Sequence, residues 1–162
     1  SGTSVIDVAV RDVMERDPVT VPPEMELRDL VELFASRRLP AAPVVDAAGA
    51  LVGMVSERDI VFQEVEGDLD IPFYVPLLDG MIFLDGGRYQ EQMRKAFATT
   101  VGELMGRDVH TAAPAETIHE AAKRMARHDV SRLPVVEDGR VIGVISRSDV
   151  VRALATYGSR KR

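Results

Sequence analysis

Residues 132–150 read RLPVVEDGRVIGVISRSDV, and nearly the same text stands earlier in the chain, at 42–60, as APVVDAAGALVGMVSERDI. Both stretches contain a Pro-Val-Val run, a glycine and a Ser-x-x-Asp pattern in the same order. Pro134 follows Pro43 by 91 positions (134 minus 43), and Gly143 follows Gly53 by 90 (143 minus 53). The chain therefore contains one unit twice, with a shift of one residue at the turn.

Composition narrows the classes of function. The 162 residues include 20 basic and 26 acidic side chains, a formal net charge of −6. This sign argues against sequence-independent nucleic-acid binding and against an anionic membrane surface, both of which attract basic proteins. There is no cysteine, which excludes disulfides and thiolate chemistry, and no apolar run reaches the roughly 20 residues of a spanning helix. We expect a soluble, cytoplasmic protein with no membrane or nucleic-acid partner.

Hydrophobic periodicity predicts a helix with one buried face in each copy. In the first copy the apolar positions i, i+3, i+4 and i+7 are Leu27, Leu30, Val31 and Phe34. In the second copy they are Ile118, Ala121, Ala122 and Met125. Thr117-x-x-Glu120 has the form of a capping box, which predicts where the second helix begins.

Two β-rich runs follow each helix, at 42–45 and 51–55 and again at 133–136 and 141–145. The second pair is joined through Asp138-Gly139, a hairpin signal. A short extended segment precedes each helix, and a further helix begins after each Ser-x-x-Asp serine. Each copy therefore reads β-α-β-β-α, which predicts an α/β (α+β) fold of two similar lobes.

The repeat does not explain residues 66–100. This segment opens with acidic residues between 64 and 70, continues through an apolar stretch at 71–84, turns at Gly86-Gly87 and ends in a predicted helix with apolar positions between 89 and 97. A structureless connection of this length is unusual in a compact domain. We expect it to pack on the lobes or on a second copy of the chain.

The two copies together resemble a tandem pair of CBS domains (a Bateman module) of the bacterial stand-alone type. The resemblance covers residues 8–62 and 100–156, with an insertion at 63–99 and a tail at 157–162. It implies two repeats related by pseudo-two-fold symmetry, clefts between them that bind AMP, ADP, ATP or S-adenosylmethionine, and homodimers formed through the CBS helices. It also implies a non-enzymatic sensor that regulates an unidentified partner protein and requires no cofactor. The alternative is a ligand-free dimerisation and interaction module.

The Ser-x-x-Asp patterns are the first candidate ligand contacts. A carboxylate in the first turn of a helix lies beside free backbone amides and can accept hydrogen bonds from a ribose cis-diol. The same pattern also has the form of a capping box, which stabilises a helix start by about 1 kcal/mol without any ligand. The residues alone leave both readings open, and the CBS resemblance favours ligand contacts for Asp59 and Asp149.

The resemblance carries over further residues. Ser131 and Arg132 match the pattern that reaches ligand phosphates, and an arginine can bond phosphate oxygens in pairs. The first copy has Pro40 and Ala41 at those positions, so we expect an anionic nucleotide to prefer the Asp149 site. The predicted contacts are Thr111, Ser131, Arg132, Leu133, Pro134, Ser146, Ser148 and Asp149 in the second copy, and Thr20, Ala42, Pro43, Ser56, Arg58 and Asp59 in the first.

No pattern in the chain predicts catalysis or a metal site. The histidines at 110, 119 and 128 repeat every nine residues, a spacing that puts His119 and His128 on opposite faces of a helix. The nucleophile-elbow, phosphate-loop and dinucleotide patterns do not occur. We therefore predict that the protein is not an enzyme.

Overall fold

The structure is a computed structural model that describes residues 7–60 and 99–159. Several predictions lie outside these residues: the acidic stretch, the apolar segment 71–84, the turn at Gly86-Gly87 and the helix over residues 89–97.

Each copy of the repeat contains the predicted succession of helix, strand, strand and helix. The described elements are a 3-10 helix (Val10–Asp12), β1 (Glu15–Arg16), α1 (Leu27–Arg37), β2 (Ala41–Val45), β3 (Leu51–Ser56), α2 (described over residues 57–60), α3 (Val101–Leu104), α4 (Ile118–His128), β4 (Arg132–Glu137), β5 (Arg140–Ser146) and α5 (Arg147–Ser159). The extended segment before each long helix pairs through single parallel bridges, Val21 with Val44 and Ala112 with Val135. Proline follows closely in both segments and cannot donate to a ladder, which keeps the pairing short.

Contacts between the described residues divide the chain into two compact units that differ from the sequence repeats. The Asp59 unit lies within residues 20–48 and 52–107. The Asp149 unit lies within residues 7–19, 49–51 and 108–159. The opening segment of each repeat therefore belongs to the unit that contains most of the other repeat.

In the Asp59 unit, helix α1 covers the pair of strands β2 and β3. Its predicted core positions are all buried, and they share a cluster with apolar side chains of both strands. Gly106 extends the sheet at β3, since Met54 and Gly106 exchange N–H to O hydrogen bonds of 3.0 and 2.9 Å. The predicted amphipathic helix is thus confirmed.

In the Asp149 unit, the strands lie in the order β1-β5-β4. Helix α4 buries Ile118, Ala121 and Met125, while Ala122 is half-buried. Its capping box is present, with Thr117 Oγ1 accepting from the Glu120 amide at 3.1 Å and Glu120 Oε2 accepting from the Thr117 amide at 3.3 Å. Asp138 and Gly139 have φ of 52° and 78°, the positive values that a type I′ hairpin requires.

The two glycines of the repeat mark the places where another backbone approaches a strand closely. A Cβ on Gly143 would lie 2.8 Å from the Glu15 carbonyl oxygen, and one on Gly53 would lie 2.9 Å from the Gly106 carbonyl oxygen. Met14 and Met105 crowd the same positions. The methionine side chains can move, but the paired backbones cannot, so both positions require glycine.

We expect Gly53→Ala to lower the stability of the Asp59 unit by about 1–3 kcal/mol, the usual result of overpacking. Gly106→Ala is the matched control in the same unit, because its Cβ would meet nothing closer than the Met54 oxygen at 3.9 Å. Urea denaturation followed by circular dichroism measures both variants. Equal midpoints for the two variants would contradict the role of close approach.

Candidate functional site

The Asp149 carboxylate is fixed at the point where β5 passes into α5. Its Oδ2 accepts a hydrogen bond from the Ser146 amide at 2.9 Å, and the Asp149 amide donates to Ser146 Oγ at 3.2 Å. This is a reciprocal capping box, so the capping interpretation of the pattern holds for the second copy. The box also places the carboxylate beside the positive end of the helix dipole.

Asp149 faces inward from α5, although the residues that follow it, Val150 and Val151, are apolar. It is 8% exposed and is the buried charged residue of the described part of the chain, whereas Val151 is 65% and Leu154 46% exposed. Ala153, one turn later on the same face, is buried. A cap requires no such burial, and burying a charge is costly unless it is well paired.

Arg152 supplies the second partner of Asp149. Its Nη1 donates to Asp149 Oδ1 at 3.2 Å, and its own side chain is 71% exposed. A pair of this kind stabilises a helix by only about 0.3–0.5 kcal/mol. Oδ2 of Asp149 is therefore held by a backbone amide, and Oδ1 is held by an exposed side chain.

Ser131 and Arg132 lie next to this helix start. Arg132 is opposite Ser146 in the β4–β5 ladder, and the Arg147 amide donates to the Ser131 carbonyl at 3.0 Å. Arg132 Nη1 also donates to Ser131 Oγ at 3.0 Å. The structure thus brings these two predicted phosphate contacts to the end of β5 that carries Asp149.

Thr111 borders the same region from the segment that bridges β4. The neighbouring Ala112 amide donates to the Pro134 carbonyl at 2.9 Å, which sets Thr111 beside the Pro-Val-Val run. Arg124 Nη1 donates to the Thr111 carbonyl at 2.8 Å and pairs with Glu116 at 2.7 Å. Arg124 therefore fixes the backbone of this segment from α4.

The Asp59 unit repeats the backbone of this arrangement with different side-chain bonding. Asp59 Oδ2 accepts from both the amide and the hydroxyl of Ser56, at 2.7 and 3.2 Å. The Glu57 amide donates to the Pro40 carbonyl at 3.0 Å, as the Arg147 amide does to Ser131. Asp59 is only half-buried, and within the described residues no side chain is hydrogen-bonded to its Oδ1.

The remaining predicted contacts fall into three groups by burial. Leu133 and Ala42 are core side chains at 0% exposure, so only their backbone faces a ligand. Pro134 and Pro43 are buried within the strands. Exposed positions are Ser148, Arg58 and Thr20.

Sequence reasoning missed Arg152 and Arg124. Arg152 stands three residues after Asp149, a spacing that allows an ion pair on a helix, so this partner could have been found. Arg124 reaches Thr111 over 13 positions, which no local pattern reveals.

The histidines are placed in a way that the spacing did not predict. His110 and His128 stack with ring centroids 3.5 Å apart and an angle of 10° between their planes. Parallel rings point their nitrogens side by side rather than at a common centre. Among residues 7–60 and 99–159, no group of three or more His, Cys, Asp or Glu side chains could hold a metal ion.

Comparison with known proteins defines the family. The model of the CBS domain matches residues 10–65 and 101–156. These two matches cover more than half of the chain, which therefore belongs to the CBS-domain family and carries a tandem pair. The resemblance read from the two copies is confirmed.

Relatives match along nearly the whole chain. The uncharacterized protein MJ1426 of Methanocaldococcus jannaschii is 35% identical over 152 residues, which are 90% of each protein. A solved CBS domain of a membrane protein from Sphaerobacter thermophilus has a TM-score of 0.74 and 28% identity, covering 93% of this chain and 90% of that one. Several other relatives are longer, and this chain spans less than half of their length.

Some of the solved relatives contain an adenosine compound, among them CBSX2 and the CBS pair of protein MJ0100, the latter with 5'-methylthioadenosine and S-adenosyl-L-methionine. CBSX2, a protein of Arabidopsis thaliana, has been solved in complex with AMP. That structure has a TM-score of 0.71 and 25% identity, and the match covers 93% of this chain and 98% of that one. In the part of the present chain that the structure describes, no helix is long and apolar enough to cross a membrane.

We expect Ser146→Ala to destabilise the Asp149 unit by about 1 kcal/mol, because the Asp149 amide loses the oxygen that caps α5. Ser148→Ala is the control, since Ser148 is exposed one residue before Asp149 and makes no capping bond. Urea midpoints of the two variants test the difference. If both variants unfold like the parent chain, the hydroxyl does not cap the helix.

Proposed function

We propose that this CBS pair is a regulatory module that binds an adenosine-containing ligand through Asp149 and Asp59 and transmits its occupancy to a partner protein. We place the CBS repeats at 8–62 and 100–156, separated by an insertion at 63–99, and the protein in the cytoplasm. CBS-pair proteins are generally regulatory and non-catalytic. We propose the same for this chain.

The observation that carries this proposal is the burial of Asp149. Its carboxylate is 8% exposed and is fixed by the Ser146 amide, more than a cap alone needs. Each carboxylate oxygen has two acceptor positions. A cis-diol presents two hydroxyl donors on neighbouring carbons, which suits a carboxylate whose orientation is already set.

Arg132 supports a phosphorylated ligand at this site. It is half-buried, it is steadied by Ser131 Oγ, and it lies across the ladder from Ser146. Its planar fork suits phosphate oxygens. The aligned position of the first copy is Ala41, which has no donor on its side chain. AMP is the ligand that the solved relative CBSX2 contains, and AMP combines both features.

The decisive experiment is a thermal-shift panel with AMP, ADP, ATP and S-adenosylmethionine. A ligand present at 100 times its dissociation constant stabilises the folded chain by about 2.7 kcal/mol. In a protein of this size that raises Tm by about 5–10 °C. We expect at least one phosphorylated ligand to produce such a rise, and Asp149→Asn to remove most of it.

Asp138→Asn is the matched control. It also removes one negative charge from the Asp149 unit, but it lies in the hairpin turn, where asparagine tolerates the positive φ. It should keep the full ligand response. No Tm rise with any of the four ligands would refute adenosine sensing, and an equal loss in both variants would refute the role of Asp149.

The exposed apolar side chains of α5 favour a second candidate function, which is assembly. Val151 and Leu154 lie three residues apart on one face of the helix and are 65% and 46% exposed. A helix that presents the same patch in two identical chains can form an isologous two-fold contact. We propose a homodimer through α5, on the side of the helix away from the buried Asp149.

We expect the double variant Val151→Glu and Leu154→Glu to be monomeric, because charges cannot be buried unpaired in such a contact. Light scattering on the full chain, with and without AMP, measures the mass. Ala126→Glu places a single glutamate on an exposed position of α4 and should leave the dimer intact. A parent chain that is monomeric at all concentrations would exclude the contact.

A further inference from the structure

We infer that Arg152 makes the Asp149 site select phosphorylated over unphosphorylated adenosine compounds. The inference rests on the proposed adenosine binding and adds a residue that selects among such ligands. Arg152 is the part of this site that local sequence patterns did not single out.

Arg152 holds Oδ1 of the Asp149 carboxylate, the oxygen that the Ser146 amide does not bind. Its Nη1 lies 3.2 Å from Asp149 Oδ1, whereas Oδ2 is bound by the Ser146 amide at 2.9 Å. A diol that approaches Asp149 therefore meets an oxygen whose charge is already partly compensated by a guanidinium. Binding through Oδ1 requires Arg152 to withdraw or to share that oxygen.

Releasing the Arg152 guanidinium from Asp149 costs little free energy, but the released group needs another anionic partner. The Arg152 side chain is 71% exposed and makes a single contact with Asp149, so water screens the pair. An unphosphorylated adenosine offers the released guanidinium nothing in exchange. A phosphate on the same sugar offers two oxygens in the geometry that arginine binds best.

The first copy has no arginine at the position that matches Arg152. Counting from the shared serine and aspartate, the position that matches Arg152 is Phe62, and the position that matches Arg147 is Glu57. Asp59 Oδ1 receives no side-chain hydrogen bond within the described residues. Within the described residues, no arginine is bound to Asp59 as Arg152 is to Asp149, which makes the discrimination a property of the Asp149 site.

The test is isothermal titration of the full-length chain with AMP and with adenosine, in an Asp59→Asn background so that the Asp149 site is measured. We expect Arg152→Gln to weaken AMP and to leave adenosine unchanged or tighter, so that the AMP to adenosine affinity ratio falls by about tenfold, the scale of one charge-assisted phosphate contact. Arg152→Lys keeps the charge without the fork and should fall between.

Arg127→Gln is the control for net charge. Arg127 is exposed on α4 in the same unit and, among the described residues, makes no side-chain hydrogen bond or ion pair. It should leave the ratio unchanged. A ratio that stays within twofold in Arg152→Gln, or an equal loss of both ligands, overturns the role of Arg152 and leaves the proposed function standing.

Failure of the proposed function has a different signature. In that case neither AMP nor adenosine produces heat with the parent chain or with any variant, and both proposals fall together. Since Arg152 is exposed, its variants should unfold within about 1 kcal/mol of the parent, as surface substitutions do. A Tm scan without ligand checks that folding is not what the titration reports.

Discussion

Two backbone carbonyls, those of Glu15 and Gly106, approach strands β5 and β3 so closely that only glycine fits beneath them. This constraint sets the fold. Glu15 pairs with Val144, and its carbonyl oxygen lies against Gly143. The N-terminal segment therefore adds a third strand to the sheet of the Asp149 unit, whose other two strands come from the second repeat. The opening segment of the second repeat completes the Asp59 unit in the same way. Neither sheet is complete within one repeat.

The succession of elements could be predicted from the sequence because each signal for it is local. Apolar spacing marked α1 and α4, Asp138-Gly139 marked the hairpin, and Thr117-x-x-Glu120 marked a helix start, all within a few residues. The pairing of Glu15 with β5 could not be predicted, because it joins residues about 130 positions apart. The glycine at position 143 is its only local signal in the sequence. Because the chain contains the unit twice, the sequence does not show which of the two sheets such a segment completes.

The candidate site could be predicted to the same extent as the fold, from local signals only. Ser146 and Asp149 follow from their spacing, and Arg132 follows from the family resemblance. The burial of Asp149 could not be predicted from such patterns. The sequence of α5 is apolar at Val151 and Leu154, whereas the buried face of the helix carries Asp149 and Ala153. The direction in which each face of α5 points is set by the strand that leads into it, β5, and not by the hydrophobicity of the helix alone. A buried carboxylate on a helix whose Val151 and Leu154 are exposed is a local conflict of the kind expected at functional positions.

Capping and ligand binding need not exclude one another at this helix start. The box uses one lone pair of Asp149 Oδ2 and the Ser146 hydroxyl, so it fixes the side chain without exhausting the carboxylate. A fixed carboxylate loses little side-chain freedom when a diol binds, and this favours affinity. Both copies keep that backbone, since the amides of Glu57 and Arg147 make the same 3.0 Å bond to the residue just before β2 and β4, respectively. The copies diverge in the side chains around it, where alanine, glutamate and phenylalanine of the first copy stand at the positions of three arginines in the second. A duplicated frame with more arginines around one carboxylate than around the other is suited to distinguish ligands that differ only in phosphate.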